Sequence, residues 1–315
     1  MARAFVFPGQ GSQAVGMGRE LAGAFTEARD VFGEVDDALD QKLSALMFEG
    51  PESDLTLTEN AQPALMAVSV AVVEVLRKQG GLDLARAAAF VAGHSLGEYS
   101  ALCAAGTFTL ADTARLLKLR GRSMQKAVPV GQGAMAALMG AELDAAQAIA
   151  AEAAAETGKV CAAANDNAPG QVVISGDAVA VDRAIAIAAT KGFKRAIKLP
   201  VSAPFHCPLM APAADAMAEA LAATALKEPS VPVVANVTAS AVSDPDEIRR
   251  LLVEQVTGLV RWRESMLYIK AQGVDTVVEL GSGKVLTGLA KRIDKELAGV
   301  SVQTPADIEA FLKSL

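Results

Sequence analysis

The chain has 315 residues, of which 52% are hydrophobic and 21% are charged, and its formal net charge is −7. This composition excludes a disordered protein, and the acidic balance argues against a nucleic-acid partner. No apolar run is long enough for a membrane span, no signal-peptide pattern is present, and the three cysteines form no C-x-x-C pair. We therefore expect a protein of the reducing cytoplasm, without a disulfide, a zinc site or a membrane contact.

Short apolar strands alternate with longer helical patterns, which is typical of a parallel α/β architecture. The strand candidates of the main body are Ala4–Phe7, Ala87–Ala92, Val231–Val237 and Thr276–Leu280. The first of them runs into the glycine-rich loop FPGQGSQ (Phe7–Gln13). This loop lacks the G-K-[ST] ending of a P-loop, so we expect it to bring a backbone N–H close to a reacting group rather than to cradle a phosphate.

A serine stands in the G-x-S-x-G frame Gly93-His94-Ser95-Leu96-Gly97, after an apolar run and before an apolar-periodic segment. This context predicts a strand, a sharp turn and a helix, with the serine oxygen exposed at the turn. The N–H of Leu96 would then face the group that Ser95 attacks and, with an N–H of the first loop, form an oxyanion hole. The alternative is that Ser95 only fits a tight turn.

The next helix carries an arginine on its apolar face. A capping box from Thr109 to Asp112 predicts a helix that continues to about Ala127. Helical periodicity places four basic residues together on one face, which is either solvated or receives an acidic partner: Arg115, Lys118, Arg122 and Lys126. Arg120 falls in the middle of the opposite, apolar face. A buried guanidinium needs an anion, which is either an internal acid or a substrate carboxylate held bidentately.

The pattern changes between about Val130 and Leu199 to βαββαβ, which is typical of a ferredoxin-like module. The predicted elements are the strand Ala134–Met139, a helix Asp144–Glu156 capped by Asp144, strands Lys159–Ala164 and Gln171–Ser175 joined by a turn over Asn165–Gly170, the helix Ala178–Lys191 and the strand Lys194–Leu199. We therefore predict a small subdomain over residues 130–199, inserted into a large body formed by residues 1–129 and 200–315.

The sequence offers only two histidines as a base for Ser95. His94 is its neighbour, and adjacent side chains would point apart. His206 lies in a proline-bounded loop after the inserted module and is the better candidate, although a purely structural histidine is the alternative. No acid between Ser95 and His206 is compelling. We therefore predict a Ser–His dyad whose imidazole is oriented by a backbone carbonyl.

Seven short segments, in order, span nearly the whole chain. They are FPGQGSQ (Phe7–Gln13), QPAL (Gln62–Leu65), GHSLGEYSAL (Gly93–Leu102), LRGRSMQ (Leu119–Gln125), NAPGQVVISG (Asn167–Gly176), APFHC (Ala203–Cys207) and GKVLTGL (Gly283–Leu289). Together they resemble the malonyl-CoA:acyl carrier protein transacylase family and the related acyltransferase domains of polyketide and fatty-acid synthases.

This resemblance implies a hydrolase-like parallel-sheet body with an inserted ferredoxin-like subdomain. It also implies transfer of a malonyl group from malonyl-CoA to the phosphopantetheine thiol of holo acyl carrier protein, without a metal or redox cofactor. The implied site residues are the nucleophile Ser95, the general base His206, the oxyanion donors Gln10 and Leu96, the carboxylate clamp Arg120, and Gln255, whose main-chain carbonyl holds the histidine.

Two further residues, His94 and Phe205, are expected to belong to the substrate site. Many family members have serine where this chain has Phe205. Phenylalanine there resembles the malonyl-selecting variants of polyketide acyltransferases, in which a bulky ring disfavours a methyl branch. Ser282 replaces a proline that is common in the family, and we expect little consequence.

Three alternatives stay open from the sequence. One is a thioesterase or esterase, against which the missing acid and the buried arginine argue. Another is a non-catalytic scaffold that binds a carrier protein, which the intact serine, histidine and arginine disfavour. The third is a stand-alone acyltransferase that loads a polyketide carrier protein. Nothing in the sequence suggests an obligate dimer, so we expect a monomer.

Overall fold

The computed structural model of the chain describes residues 2–193 and 195–314. Its strands are β1 (Arg3–Phe7), β2 (Phe90–Gly93), β3 (Gly133–Met139), β4 (Cys161–Ala168), β5 (Gln171–Asp177), β6 (Arg195–Lys198), β7 (Val233–Ala235), β8 (Ser240–Val242), β9 (Thr276–Leu280) and β10 (Ala298–Val302). Met1, Leu315 and Lys194, with which a predicted strand begins, lie outside the described residues.

Helices surround these strands, and a short 3₁₀ helix spans Pro208–Met210. The helices are α1 (Arg19–Ala24), α2 (Thr26–Leu39), α3 (Leu43–Glu49), α4 (Glu52–Thr56), α5 (Thr58–Gly80), α6 (Leu84–Ala87), α7 (Leu96–Ala104), α8 (Leu110–Ala127), α9 (Leu143–Thr157), α10 (Ala178–Thr190), α11 (Ala211–Ala223), α12 (Pro245–Thr257), α13 (Trp262–Ala271), α14 (Val285–Ile293) and α15 (Pro305–Leu312). Across the part of the chain that is described, none is both long and apolar enough to cross a bilayer.

The larger sheet has the strand order β10-β9-β1-β2-β7-β8, and only its edge strand β8 is antiparallel to its neighbour. Successive side chains of β1 enter different cores, with Phe5 and Phe7 on one face and Ala4 and Val6 on the other. Both faces of the sheet are therefore covered, as parallel strands require. Because β1 and β2 are parallel and Phe7 pairs with Gly93, the loops that follow them emerge side by side.

The smaller sheet is antiparallel, with the order β4-β5-β3-β6, and has its own apolar core beneath α9 and α10. This βαββαβ arrangement on a parallel-sheet body confirms the predicted fold class. The two sheets are joined through Val260, whose carbonyl accepts from Asp166 N and whose N–H donates to Ala164 O, each at 2.9 Å. Arg263 adds an ion pair with Asp166 at 3.0 Å.

These same contacts explain why the predicted turn over Asn165–Gly170 is wrong. The polar residues Asn165 and Asp166 read as a loop, but they pair with β5 and also contact Val260 of the body. β4 therefore continues to Ala168, and only Pro169 and Gly170 remain in the turn. Tertiary partners have overridden local preference here.

Two predicted strands and two predicted helix caps are also corrected. The strand predicted over Ala87–Ala92 begins only at Phe90, because Asp83 caps the short helix α6 by accepting from Ala85 N. The strand predicted over Val231–Val237 shortens to β7. Helix α9 begins after Glu142, so Asp144 lies in its first turn and is not its cap. Thr109 does cap α8, since its hydroxyl accepts from Asp112 N. The carboxylate of Asp112, however, accepts from the Thr109 hydroxyl at 2.7 Å and not from the Thr109 N–H, so only one of the two hydrogen bonds of the predicted capping box forms.

The predicted basic face of α8 is also incomplete. Lys118 is buried, because Glu59 of α5 forms an ion pair with it at 3.0 Å and Asn60 accepts a hydrogen bond from it at 2.8 Å. Arg115, Arg122 and Lys126 remain exposed.

Candidate active site

Ser95 lies in a sharp turn between β2 and α7, with φ 54° and ψ −111°, a conformation that non-glycine residues seldom adopt. The turn requires two glycines. A Cβ on Gly93 would lie 1.9 Å from the carbonyl of Gly97, and a Cβ on Gly97 would lie 2.2 Å from Phe7 O. The glycines of the G-x-S-x-G frame are therefore required by two close backbone approaches. The resulting bend directs the Ser95 hydroxyl into a cavity.

The structure brings Ser95 and His206 together, although they are 111 positions apart in the sequence. Ser95 Oγ lies 2.7 Å from His206 Nε2, and His206 Nδ1 lies 2.8 Å from the main-chain carbonyl of Gln255. Because a carbonyl oxygen only accepts, Nδ1 carries the proton and Nε2 is free to accept the serine proton. This is the arrangement predicted for a dyad without an acid.

His206 is held in its neutral form by its surroundings. Its side chain is buried, and this burial, followed by the positive charge of Arg120, lowers the pKa of His206 to about 3. The imidazole is therefore unprotonated at neutral pH and available as a base.

Arg120 is 1% exposed, and its guanidinium faces the serine. Nη1 donates to Gln62 Oε1 at 2.8 Å, and Nη2 donates to Gln255 Oε1 at 2.8 Å and to Ser95 Oγ at 3.1 Å. Among residues 2–193 and 195–314, no carboxylate forms an ion pair with Arg120. Neutral amides orient this cation, and the buried Glu98 acts on it through its charge without forming an ion pair. The guanidinium can therefore still pair with an anion in the cavity.

The two expected oxyanion donors come from neighbouring loops. The backbone N–H groups of Gln10 and Leu96 donate to no other group in the described ranges, and both residues line the cavity beside Ser95. The Gln10 side chain accepts from Thr58 Oγ1 at 2.9 Å, which fixes the first loop against α5. The two backbone N–H groups beside Ser95 can stabilise a tetrahedral oxyanion.

The cavity has a volume of about 790 Å³ and lies between the two sheets. His94 and Phe205 both line it. His94 Nε2 lies 2.8 Å from Asn167 Oδ1, and its ring packs 5.5 Å from that of Trp262. His94 therefore contacts the smaller sheet, whereas His206 is the histidine within hydrogen-bonding distance of Ser95 Oγ. Met135 and the segment Leu199–Val201 complete the wall on the side of the smaller sheet.

Four side chains at the site were not predicted from the sequence: Gln62, Glu98, Asn236 and the amide of Gln255. Gln62 lies in the QPAL segment, which gave a position but no role. Glu98 and Asn236 are buried, and Gln255 Nε2 donates to Glu98 Oε2 at 2.8 Å. No local pattern marks Asn236, because its partners belong to β2 and the turn that follows it. In the described part of the chain, no three His, Cys, Asp or Glu residues group in a way that could hold a metal ion.

Glu98 makes the stability of the protein depend on pH. Burial raises the pKa of Glu98 from 4.5 to about 7, against the opposing effect of its hydrogen bonds from Gln255 and Asn236. The folded chain therefore binds a proton more tightly than the unfolded chain, and this stabilisation is lost as the pH rises from about 4.5 to about 7.

The Glu98→Gln variant mimics the protonated acid and is expected to lack this loss. Its free energy of unfolding, measured by urea denaturation, is expected to match that of the wild type near pH 4 and to exceed it by about 3 kcal/mol near pH 8. A difference that stays constant over this range would contradict the assignment to Glu98.

Comparison with known proteins agrees with the geometry. The chain matches the family described as acyl transferase domain over residues 4–305. It is 48% identical to the malonyl CoA-acyl carrier protein transacylase of Escherichia coli K12 over 98% of each chain, and 45% identical to that of Bacillus subtilis over 99% of this chain and 96% of the relative.

The fold is also similar to that of solved structures. The acyl-carrier-protein S-malonyltransferase of Bartonella henselae is 57% identical and has a TM-score of 0.96, with 100% of this chain and 99% of that one covered. A malonyl-transacylase in complex with its type II PKS acyl carrier protein is 42% identical, with a TM-score of 0.96 and 100% of each chain covered.

Proposed function

The chain belongs to the acyl transferase domain family, and from this premise we propose that it transfers a malonyl group from malonyl-CoA to the phosphopantetheine thiol of holo acyl carrier protein. One contact supports the proposal above all: the buried guanidinium of Arg120 lies 3.1 Å from Ser95 Oγ and has no ion-pair partner among the described residues. An acyl group that ends in a carboxylate fits this site, because the substrate brings the missing anion.

The first half of the proposed reaction acylates Ser95. As Oγ attacks the thioester carbonyl, His206 Nε2 takes the serine proton, and the developing oxyanion is met by the N–H groups of Gln10 and Leu96, each worth about 3 kcal/mol. The C–S bond then breaks, and CoA leaves with the proton from His206. The product is a malonyl ester on Ser95.

The second half transfers the malonyl group to the carrier protein. The phosphopantetheine thiol gives its proton to His206 and attacks the ester, and Ser95 recovers that proton as it leaves. Arg120 holds the malonyl carboxylate through both halves. Neutralisation of Arg120 by this carboxylate would raise the pKa of His206, because the cation is one of the causes that lower it. No oxidation state changes, so the proposed reaction needs no redox cofactor. Ser95, His206 and the two N–H groups supply the nucleophile, the base and the oxyanion stabilisation, so the proposed steps use no metal ion.

We propose that residues 130–199 form a subdomain that closes one side of the cavity over the body formed by residues 1–129 and 200–315. Phe205, which is 8% exposed at the cavity wall, is proposed to limit the bulk allowed at the acyl α-carbon. We further propose that the protein acts as a monomer in the cytoplasm, in fatty-acid synthesis. A polyketide carrier is the second candidate acceptor, since one similar structure contains such a protein.

The stoichiometry of CoA release tests the proposed function. Without a carrier protein, one CoA per enzyme is expected to be released from malonyl-CoA. Release then stops, because no thiol is present to accept the malonyl group from Ser95. Adding holo acyl carrier protein is expected to restore continuous release with malonyl appearing on the carrier. Sustained release in the absence of the carrier would identify a hydrolase, and no release in either case would refute the proposal.

A further inference from the structure

The turn that carries Ser95 is bridged by the side-chain amide of one residue in the loop after β7. Asn236 follows β7, is fully buried, and donates from Nδ2 to Gly93 O at 2.7 Å. Its Oδ1 accepts from Ser95 N at 2.8 Å. One side chain therefore joins the backbone on both sides of the turn, although it lies 141 positions from the serine.

The orientation of this amide is fixed by its partners. A flipped Asn236 would place its oxygen against the carbonyl of Gly93 and its NH₂ against the N–H of Ser95, so both hydrogen bonds would become repulsive contacts. The backbone is anchored as well, because Asn236 N donates to Glu98 Oε2 at 3.1 Å and Asn236 O accepts from Arg261 N at 3.0 Å.

A second amide strengthens the same turn. Gln255 Nε2 donates to Ser95 O at 3.0 Å and to Glu98 Oε2 at 2.8 Å. The N–H and the C=O of Ser95 are thus both held by side chains of other elements, while the residue keeps a φ of 54°. A backbone in this region persists only where its surroundings over-determine it.

We propose that Asn236 is a positioning residue that holds the strained Ser95 backbone so that Oγ stays in line with His206 Nε2. This inference rests on the proposed role of Ser95 as the nucleophile. Asn236 occupies the N–H of Ser95, and this leaves the N–H of Leu96 as the donor of the turn that faces the cavity. Without the amide, Ser95 can relax toward ordinary backbone angles and carry its hydroxyl away from the base.

The Asn236→Ala variant tests this role. Its single-turnover rate of Ser95 acylation by malonyl-CoA is expected to fall about 100-fold, the effect of a misplacement near 1 Å. Its KM is expected to stay within about threefold of the wild-type value, since Asn236 does not line the cavity.

Asp36→Ala is the matched control. Asp36 is also buried, and its Oδ1 also accepts from a backbone N–H at 2.8 Å, that of Ser44, in a part of the fold outside the cavity. Both variants are expected to lower Tm, but only Asn236→Ala is expected to slow acylation. Equal acylation rates in the two variants would overturn the positioning role.

The Asn236→Asp variant keeps the shape of the side chain but can lose a proton. The pH dependence of its acylation rate therefore distinguishes a positioning role from a purely structural one. A neutral acid can donate to Gly93 O and accept from Ser95 N, as the amide does, whereas a carboxylate cannot donate. Its acylation rate relative to the wild type is therefore expected to rise as the pH is lowered from about 8 to about 5.

Four other ionisable groups surround the turn in both proteins, namely Glu98, Arg120, His206 and Arg261. The change of the rate ratio with pH therefore reports the added acid together with its coupling to these groups, above all to Glu98. If Asn236→Asp acylates as fast as the wild type at every pH, the inference is overturned. It is also overturned if the variant is slower by the same factor at every pH. A wild-type chain that forms no malonyl adduct would refute the proposed function and the inference together. A wild-type chain that acylates no faster than the Asn236 variants would refute the inference alone.

Discussion

The Ser95→Ala variant is expected to form no covalent malonyl adduct and to lose malonyl transfer by on the order of 10⁵-fold or more, as when the nucleophile of a covalent mechanism is removed. The reason is that Ser95 Oγ, 2.7 Å from His206 Nε2 and 3.1 Å from Arg120 Nη2, is the atom on which the proposed base and clamp converge. Intact-protein mass spectrometry after a brief incubation with malonyl-CoA measures the adduct directly.

Ser100→Ala is the matched control for this experiment. Ser100 lies on α7, one helix turn beyond the active serine, and it is buried, with no hydrogen-bond partner for its hydroxyl in the described part of the chain. Its removal is expected to leave both the adduct and the transfer rate unchanged. An adduct of equal size in Ser95→Ala would show that another residue is the nucleophile.

The Arg120→Ala variant is expected to lose selectivity for a carboxylated acyl group. For malonyl-CoA, kcat/KM is expected to fall by about 100- to 1000-fold, or roughly 3–4 kcal/mol, because the buried malonyl carboxylate would lose its cationic partner. Transfer of an uncharged acetyl group is expected to survive or improve, since it has no carboxylate to pair. The measurement is the ratio of kcat/KM for malonyl-CoA to that for acetyl-CoA.

The exposed Arg122 on the same helix provides the control. Its side chain is 64% exposed and pairs with Glu59 at 2.9 Å, so Arg122→Ala removes an equal charge from the protein without opening the cavity. The malonyl-to-acetyl ratio is expected to stay at the wild-type value in this variant. Equal losses for both acyl groups in Arg120→Ala would refute the carboxylate clamp.

Local signals in the sequence were sufficient to select residues that the structure brings together at the cavity. The G-x-S-x-G frame predicts the turn at Ser95 because two close backbone approaches demand glycine. Arg120 stood out because helical periodicity put a cation on an apolar face, and the scarcity of histidine left few choices of base. The strand Thr276–Leu280 was predicted with its observed boundaries, because it is a short apolar run buried on both faces.

What the sequence could not predict depends on contacts between distant segments. Asn236 and the amide of Gln255 act on a turn more than 100 positions away, and neither sits in a local pattern. Lys118 was expected on a solvated face, but Glu59 of another helix covers it. Asp166 was expected in a turn, but it pairs with Val172 of β5 and is bound by Val260 and Arg263 of the body, so it lies in a strand.

A crystal structure of the malonylated enzyme, prepared with malonyl-CoA in the absence of a carrier thiol, tests the central claim most directly. We expect the malonyl group as an ester on Ser95, with both oxygens of its carboxylate within about 3 Å of the Arg120 guanidinium nitrogens. A malonyl ester whose carboxylate lies in solvent or against another cation, with Arg120 still bound only to Gln62 and Gln255, would contradict it.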